Sequence, residues 1–183
     1  MIKIGLIREG KTPADNRVAL TPPQCKWVHK NSETVRIIAQ SSTNRCFSDK
    51  EYQSAGVEVK DDISDCDILL GIKEVPVAQL IPGKTYLFFS HTKKKQPHNK
   101  SLLRAILDNK ITLIDYECLE HDDGQRIIGF GFFAGIVGAH NGMMAYGNRS
   151  GLYKLDRVFK QRSFRELIHA YFGIDYKLVW EAI

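Results

Sequence analysis

The chain alternates short apolar runs with longer stretches of helical period. Lys3-Ile-Gly-Leu-Ile7 reads as a first strand, and a polar loop follows from Arg8 to Leu20. Thr21-Pro22-Pro23-Gln24 looks like a helix start: Thr21 can cap, Pro22 suits the first helical position, and Gln24 completes a capping box. Thr34 to Ala39 is β-branched and apolar, a second strand. Ser48-Asp-Lys-Glu51 caps a short helix that runs to about Ala55 and is closed by Gly56, and Val57 and Val59 suggest a short strand. Asp67–Ile72 and Thr85–Ser90 are apolar runs of strand length. Pro97–Asn109 is a helix, with Leu102, Leu103, Ile106 and Leu107 at helical spacing, and Ile111–Tyr116 is a further strand.

These strands read as continuous hydrophobes rather than as alternating ones. That pattern belongs to a parallel sheet covered by helices on both faces. The order strand–helix–strand–helix gives the same α/β answer, a Rossmann-like sheet flanked by helices. Asp122-Asp-Gly124 is a turn, read as the tip of a hairpin between Tyr116–Cys118 and Arg126–Ile128. The texture then changes. Phe132 to about Tyr146 reads as a helix rich in small residues, Gly147 to Ser150 as a loop, and Ser163-Phe-Arg-Glu166 as the start of a last helix ending near Gly173. A boundary near Gly131 divides a domain at 1–131 from a helical segment at 132–183.

Composition changes this picture little. The 183 residues are 43% hydrophobic and 26% charged, which excludes disorder, collagen and coiled coil. The longest nearly apolar run, Ile127 to Ala139, falls short of the roughly 20 residues a bilayer span needs, so no membrane is expected. Met1 leads into a strand-like segment without a signal-peptide pattern, which points to the cytoplasm. The net charge of +5 is spread along the chain, which suits an anionic small molecule and does not call for a nucleic acid. Cys25, Cys46, Cys66 and Cys118 have no metal-ligand spacing and read as small, partly buried hydrophobes, with no metal expected.

The informative feature is where the ionisable residues sit. Lys73-Glu74 follows one strand, His91 follows the next, and Glu117 closes the last. The first strand delivers Arg8-Glu9, with Arg17 in the loop behind. In an open parallel sheet the carboxyl ends of the strands share one edge, and ligands bind in the crevice there. An amine, carboxylates and an imidazole are thus expected on one rim. Burial disfavours an ammonium, which suits Lys73 to proton transfer, and an imidazole works near neutral pH with little perturbation. Glu74 or Glu117 can balance the charge. Arg17 and Arg126 offer planar forks for carboxylates. As isolated residues, each of these is equally well a solvated loop charge. His29, His98, His121, His140 and His169 carry no such context, and Lys93-Lys94-Lys95 reads as a solvated loop.

Gly129-Phe-Gly131-Phe-Phe-Ala134 matches the dinucleotide fingerprint in form. Asp156 has the spacing of the acidic partner, but Gly147 to Lys154 does not read as the second strand the fingerprint needs. Tight helix packing, with Gly135 and Gly138 as small contacts, is the preferred reading.

Several motifs carry a family resemblance. Ile7-Arg-Glu-Gly-Lys11 leading to Arg17-Val-Ala-Leu-Thr-Pro22, and Gly71-Ile-Lys73-Glu74-Val-Pro76, resemble the N-terminal domain of alanine dehydrogenase and proton-translocating transhydrogenase. Phe88-Phe-Ser-His91-Thr, Leu113-Ile-Asp-Tyr-Glu117 and Gly129-Phe-Gly-Phe-Phe-Ala-Gly135 are most similar to saccharopine dehydrogenase (lysine-forming) and lysine–ketoglutarate reductase. The resemblance implies an oxidoreductase with two Rossmann-like lobes that interconverts saccharopine with lysine and 2-oxoglutarate, using NAD or NADP. It implies that Lys73 and His91 are the acid/base pair, that Arg17 and Arg126 hold substrate carboxylates, and that Glu74 and Glu117 tune the site. It places the nucleotide lobe beyond residue 183, so this chain alone is expected neither to bind the cofactor nor to transfer hydride. Apolar surface left uncovered would favour a homo-oligomer. The alternatives are an alanine dehydrogenase-like enzyme and a non-catalytic amino-acid or keto-acid-binding module.

Overall fold

The computed structural model describes residues 1–160 apart from Ala14 and Phe130. The chain divides into two compact units, Met1–Ile128 and Gly129–Ile183. The first runs β1 (Ile2–Leu6), α1 (Pro22–Asn31), β2 (Val35–Gln40), α2 (Asp49–Ser54), β3 (Glu58–Lys60), β4 (Ile68–Leu70), β5 (Thr85–Phe88), α3 (Lys100–Asp108) and β6 (Thr112–Asp115). The six strands form one sheet in the order β3-β2-β1-β4-β5-β6, with every neighbouring pair parallel. This is the doubly wound arrangement, and the strand order reverses between β1 and β4.

The continuous apolar strands are explained by cover on both faces. Ile37 packs with Leu6, Cys25, Ala39, Tyr52 and Val57, whereas its neighbour Ile38 packs with Ile63, Cys66, Leu69, Tyr86 and Phe88. Both helix starts read from sequence are present. Gln24 Oε1 accepts the Thr21 N–H at 2.8 Å, and Glu51 Oε2 accepts the Ser48 N–H at 2.6 Å. Gly5 lets the second layer close on β1: a Cβ there would lie 2.8 Å from Leu69 Cδ2 and 3.2 Å from Cys66 Sγ.

Four expectations change. The run Asp67–Ile72 shortens to β4, because the Ile72 N–H is taken by a side chain, Glu9, rather than by the ladder. The hairpin reduces to one antiparallel bridge between Glu120 and Arg126. Its first arm, Tyr116–Cys118, is a turn of 3-10 helix, because the Asp115 carboxylate accepts the Glu117 N–H at 2.9 Å and bends the chain out of the sheet. Cys25 and Cys66 are buried as expected, but Cys46 and Cys118 are exposed.

The fourth correction lies in the second unit. Gly147–Ser150 is not a loop but the last turn of α4 (Gly131–Ser150). Gly147 is a contact, not a breaker: a Cβ there would lie 2.6 Å from the Tyr153 ring, which folds back over the helix. The Tyr153 hydroxyl donates to the Met143 carbonyl at 3.0 Å. The helix stops instead at Gly151, whose φ of 72° puts it in the left-handed region that glycine favours. His140 is fully buried on α4, with its Nε2–H donating to the Asp156 carbonyl at 2.7 Å. The expected helix from Ser163 lies outside the described residues.

Gly5→Ala should lower stability by about 1–3 kcal/mol, the usual range for overpacking a filled core. Urea unfolding of wild type and variant measures this, and equal midpoints would contradict the packing described.

Candidate functional site

The carboxyl ends of β1, β4, β5 and β6 meet on one edge of the sheet, and each delivers ionisable side chains. Glu9 leaves β1 and accepts the backbone N–H groups of Ile72 at 2.6 Å and of Lys73 at 2.9 Å. It therefore spans the point where the strand order reverses. Burial pushes the Glu9 carboxyl above its ordinary range, and the two N–H groups pull against that. Beside it, Asp15 forms a bidentate pair with Arg17, and that guanidinium holds the Asp15 carboxyl below the usual range. Tyr116 is buried edge-on against Phe89, with ring centres 5.1 Å apart. Burial, aided by the Glu9 carboxylate, pushes its hydroxyl up to about 12.

A second group centres on Glu74. Its Oε2 accepts from Lys11 Nζ at 2.6 Å and its Oε1 meets His91 Nδ1 at 2.5 Å. Burial raises the Glu74 carboxyl, but these contacts outweigh burial and hold it below the usual range. Glu74 is thus an acceptor, so His91 Nδ1–H donates to it. The Nε2 lone pair is left free, and among the described residues it has no hydrogen-bond partner. A carboxylate on one nitrogen fixes the tautomer and orients the other nitrogen. Lys73 Nζ, half-buried, has no hydrogen bond or ion pair among the described residues.

Glu117 is 3% exposed and lies between Lys94 Nζ at 3.0 Å and Arg126 at 3.4 Å. Burial raises its carboxyl, but the Lys94 ammonium and the Arg126 guanidinium outweigh that and hold it low. The lysine run is therefore not simply solvated: Lys94 pairs with Glu117, and Lys93 with Glu120 at 3.0 Å.

All six residues singled out from sequence stand on or beside this edge. Arg17 and Arg126 are already engaged by Asp15 and Glu117, so an incoming carboxylate must share or displace those partners. Sequence reading missed Lys11 and Asp15, whose loop positions acquire meaning only from contacts across the edge. His29 is accounted for structurally, since its Nε2 accepts the Ile37 N–H at 2.8 Å. Among the described residues no cluster of His, Cys, Asp and Glu could hold a metal.

Gly129 and Gly131 do not make the close contacts that fingerprint glycines serve. They precede and open α4, but no ladder strand leads into them, and a Cβ on either would meet nothing within 4 Å. Among the described residues no strand makes the close helix approach that the fingerprint glycines serve. The expected tight packing at Gly135 and Gly138 is not made by the described residues either, since a Cβ on either would meet nothing within 4 Å. A cavity of about 670 Å³ lies away from the edge, lined by Pro22, Pro23, Lys26, Phe47 and Glu51 between α1 and α2. A groove of about 290 Å³ adjoins the edge, lined by Lys11, Glu74, Val75, Pro76, His98 and Leu102.

The family model "Alanine dehydrogenase/PNT, N-terminal domain" matches residues 5–137. The chain belongs to this family. Within it, a Rattus norvegicus protein named alpha-aminoadipic semialdehyde synthase, mitochondrial, is 34% identical over 182 residues, covering 96% of this chain and 19% of that one. A Candida glabrata protein named saccharopine dehydrogenase (NAD(+), L-lysine-forming) is 33% identical over 149 residues, covering 78% of this chain and 40% of its own. The chain thus spans a fifth to two fifths of the length of these relatives. A solved L-alanine dehydrogenase superposes with a TM-score of 0.56 at 17% identity, covering 68% of this chain and 35% of that one, and so shares the family's fold. No helix among the described residues is long and apolar enough to cross a membrane.

The pairing of Glu74 has a pH consequence. Its carboxyl is held below the unfolded value of 4.5, so its contribution to stability is full above that value and is lost as pH falls through the folded one. Glu74→Gln should be less stable than wild type near neutral pH, and the gap should narrow as pH falls below 4.5. Urea midpoints across this range test it, and a constant gap would contradict the ionised Glu74.

Proposed function

We propose that this chain is the substrate-side lobe of an oxidoreductase of the saccharopine dehydrogenase and lysine–ketoglutarate reductase type. The reaction joins or separates lysine and 2-oxoglutarate through the secondary amine saccharopine, with NAD or NADP as the redox partner. The observation that carries this reading is the contrast on the edge: Lys11, Arg17, Lys94 and Arg126 are paired, while Lys73 Nζ and His91 Nε2 are left without partners among the described residues. Groups that must exchange protons with a substrate have to keep a free position.

In the lysine-forming direction Lys73 takes the proton of the secondary amine as its carbon is oxidised to the imine. Water attacks the imine carbon, and His91 Nε2 takes the proton that water gives up. Glu74 holds the imidazole in the tautomer that accepts at Nε2 and stabilises the cation that results. Return of a proton to nitrogen lets the C–N bond of the carbinolamine break. Arg17 and Arg126 receive substrate carboxylates by exchange with Asp15 and Glu117, so that the ligand replaces one acceptor with another. Bound NAD+ or NADP+ would supply the acceptor for the hydride that this carbon loses; the residues above handle only the protons and the carboxylates.

The partner is accordingly a small amino acid or 2-oxo acid rather than a nucleic acid, and self-association through uncovered apolar surface is included in the proposal. The free thiols Cys25, Cys46, Cys66 and Cys118 suit the reducing cytoplasm. The rat relative is named mitochondrial, and subcellular fractionation decides between the two compartments.

Calorimetry of the chain with saccharopine, lysine, 2-oxoglutarate, alanine and NADH tests the reading. Saccharopine should bind, and Arg17→Ala should weaken it by at least about tenfold, the loss of one charge-assisted contact. Binding of NADH but not of saccharopine would overturn the assignment, and a preference for alanine would favour an alanine dehydrogenase-like reading. In an active enzyme carrying this lobe, Lys73→Met or His91→Gln should cut turnover by at least ~100-fold. Binding of 2-oxoglutarate or saccharopine with turnover unaffected by both changes would instead favour the non-catalytic module.

A further inference from the structure

Between the strands that carry His91 and Glu117 lies a buried polar group that neither the proton steps nor the charge pairs use. Ser90 is fully buried and Asp115 is 7% exposed. Phe88 and Asp115 are the last paired residues of β5 and β6, so the group sits where the ladder ends. One Asp115 oxygen accepts from the Ser90 hydroxyl, and the other accepts the Glu117 N–H at 2.9 Å. Ser90 Oγ also accepts the Thr92 N–H at 3.1 Å and lies 2.7 Å from the Thr92 hydroxyl.

His91, between Ser90 and Thr92, has a φ of 56° and a ψ of 11°. A residue with a Cβ rarely adopts that left-handed conformation, and it persists only where surrounding contacts over-determine it. Both flanking residues are tied to the same hydroxyl, and the Asn99 amide donates to the His91 carbonyl at 3.3 Å. The left-handed bend is what turns the chain as it leaves β5 and seats the imidazole against Glu74, which comes from the end of β4.

We propose that Asp115 is a positioning residue: by clasping Ser90 and the Glu117 backbone together, it fixes His91 in its left-handed turn and sets its place relative to Glu117. Three observations converge on this. A carboxylate is seldom this buried unless its acceptors are used, and both oxygens here are used. Its two donors belong to different strand ends. Each of those ends carries one ionisable group of the edge, one or two residues away.

The assignment of a catalytic purpose rests on reading His91 as a proton carrier, but the geometry can be tested without any substrate. Long-range proton–nitrogen correlation spectra report which imidazole nitrogen carries the proton. They are recorded on the 183-residue chain at about pH 8.5, above the ordinary imidazole range, and the His91 signals are assigned by their loss in His91→Gln. In wild type the proton should sit on Nδ1. Asp115→Ala should abolish that signature while the amide signals of the sheet stay dispersed. Asp115→Asn should restore it, because its amide still accepts the Glu117 N–H and can donate to Ser90 Oγ. If Asp115→Ala fails to fold, Ser90→Ala, which keeps the Asp115–Glu117 bond, should weaken the signature in its place. An unchanged Nδ1–H signature in the folded Asp115→Ala chain, or in Ser90→Ala, overturns the proposal. A wild-type chain that shows the signature, loses it in Asp115→Ala and does not bind saccharopine leaves the clasp standing and removes the functional reading instead.

Discussion

Glu9 leaves the end of β1 and accepts two successive backbone N–H groups, those of Ile72 and Lys73, across the point where the strand order reverses. Those N–H groups lie past the end of β4 and have no ladder partner of their own. An unpaired N–H in a half-buried site costs free energy comparable to a lost hydrogen bond. The carboxylate therefore completes the sheet by side chain where backbone pairing stops, and in doing so fixes where Lys73 stands. Everything else on the edge is arranged around that tie. Asp15 and Arg17 lie on one side, and Glu74, which follows Lys73 directly, reaches Lys11 and His91 on the other.

The edge is a balance of near-matched charges rather than a cationic patch. The half-buried Glu74 and buried Glu117 carboxylates are held low by the cations that face them, and those cations are in turn partly neutralised. In the proposed function, substrate carboxylates enter by exchange with these partners, with little net change in buried charge. Uncompensated burial of a charge is the expensive event in such a site, and exchange avoids it. The proposed proton carriers, Lys73 and His91, are the groups left outside this compensation.

Much of this was readable from the chain. An ionisable residue directly after an apolar strand run is tolerable only at an edge of a covered sheet, and that constraint alone placed Lys73, Glu74, His91 and Glu117 together. The parallel order followed from apolar runs that did not alternate. What escaped were relations set by tertiary proximity. Glu9 bonds a backbone more than 60 residues away, and nothing local marks it as an acceptor there. Asp115 reads as a residue inside the strand Ile111–Tyr116, yet its side chain outcompetes the expected hairpin by capping the next turn. Gly147 reads as a helix breaker, but its missing Cβ serves the approach of Tyr153 instead.

The central claim is that chemistry belongs to the edge at the strand-order reversal and not to the larger cavity of about 670 Å³ between α1 and α2. Titrating saccharopine into the nitrogen-15-labelled chain and following its amide signals tests this most directly. The account predicts shifts at 9–17, 71–75, 90–94 and 115–126, with residues 22–26 and 47–55 unmoved. Shifts confined to the α1–α2 cavity, or none at concentrations where calorimetry detects binding, would contradict it.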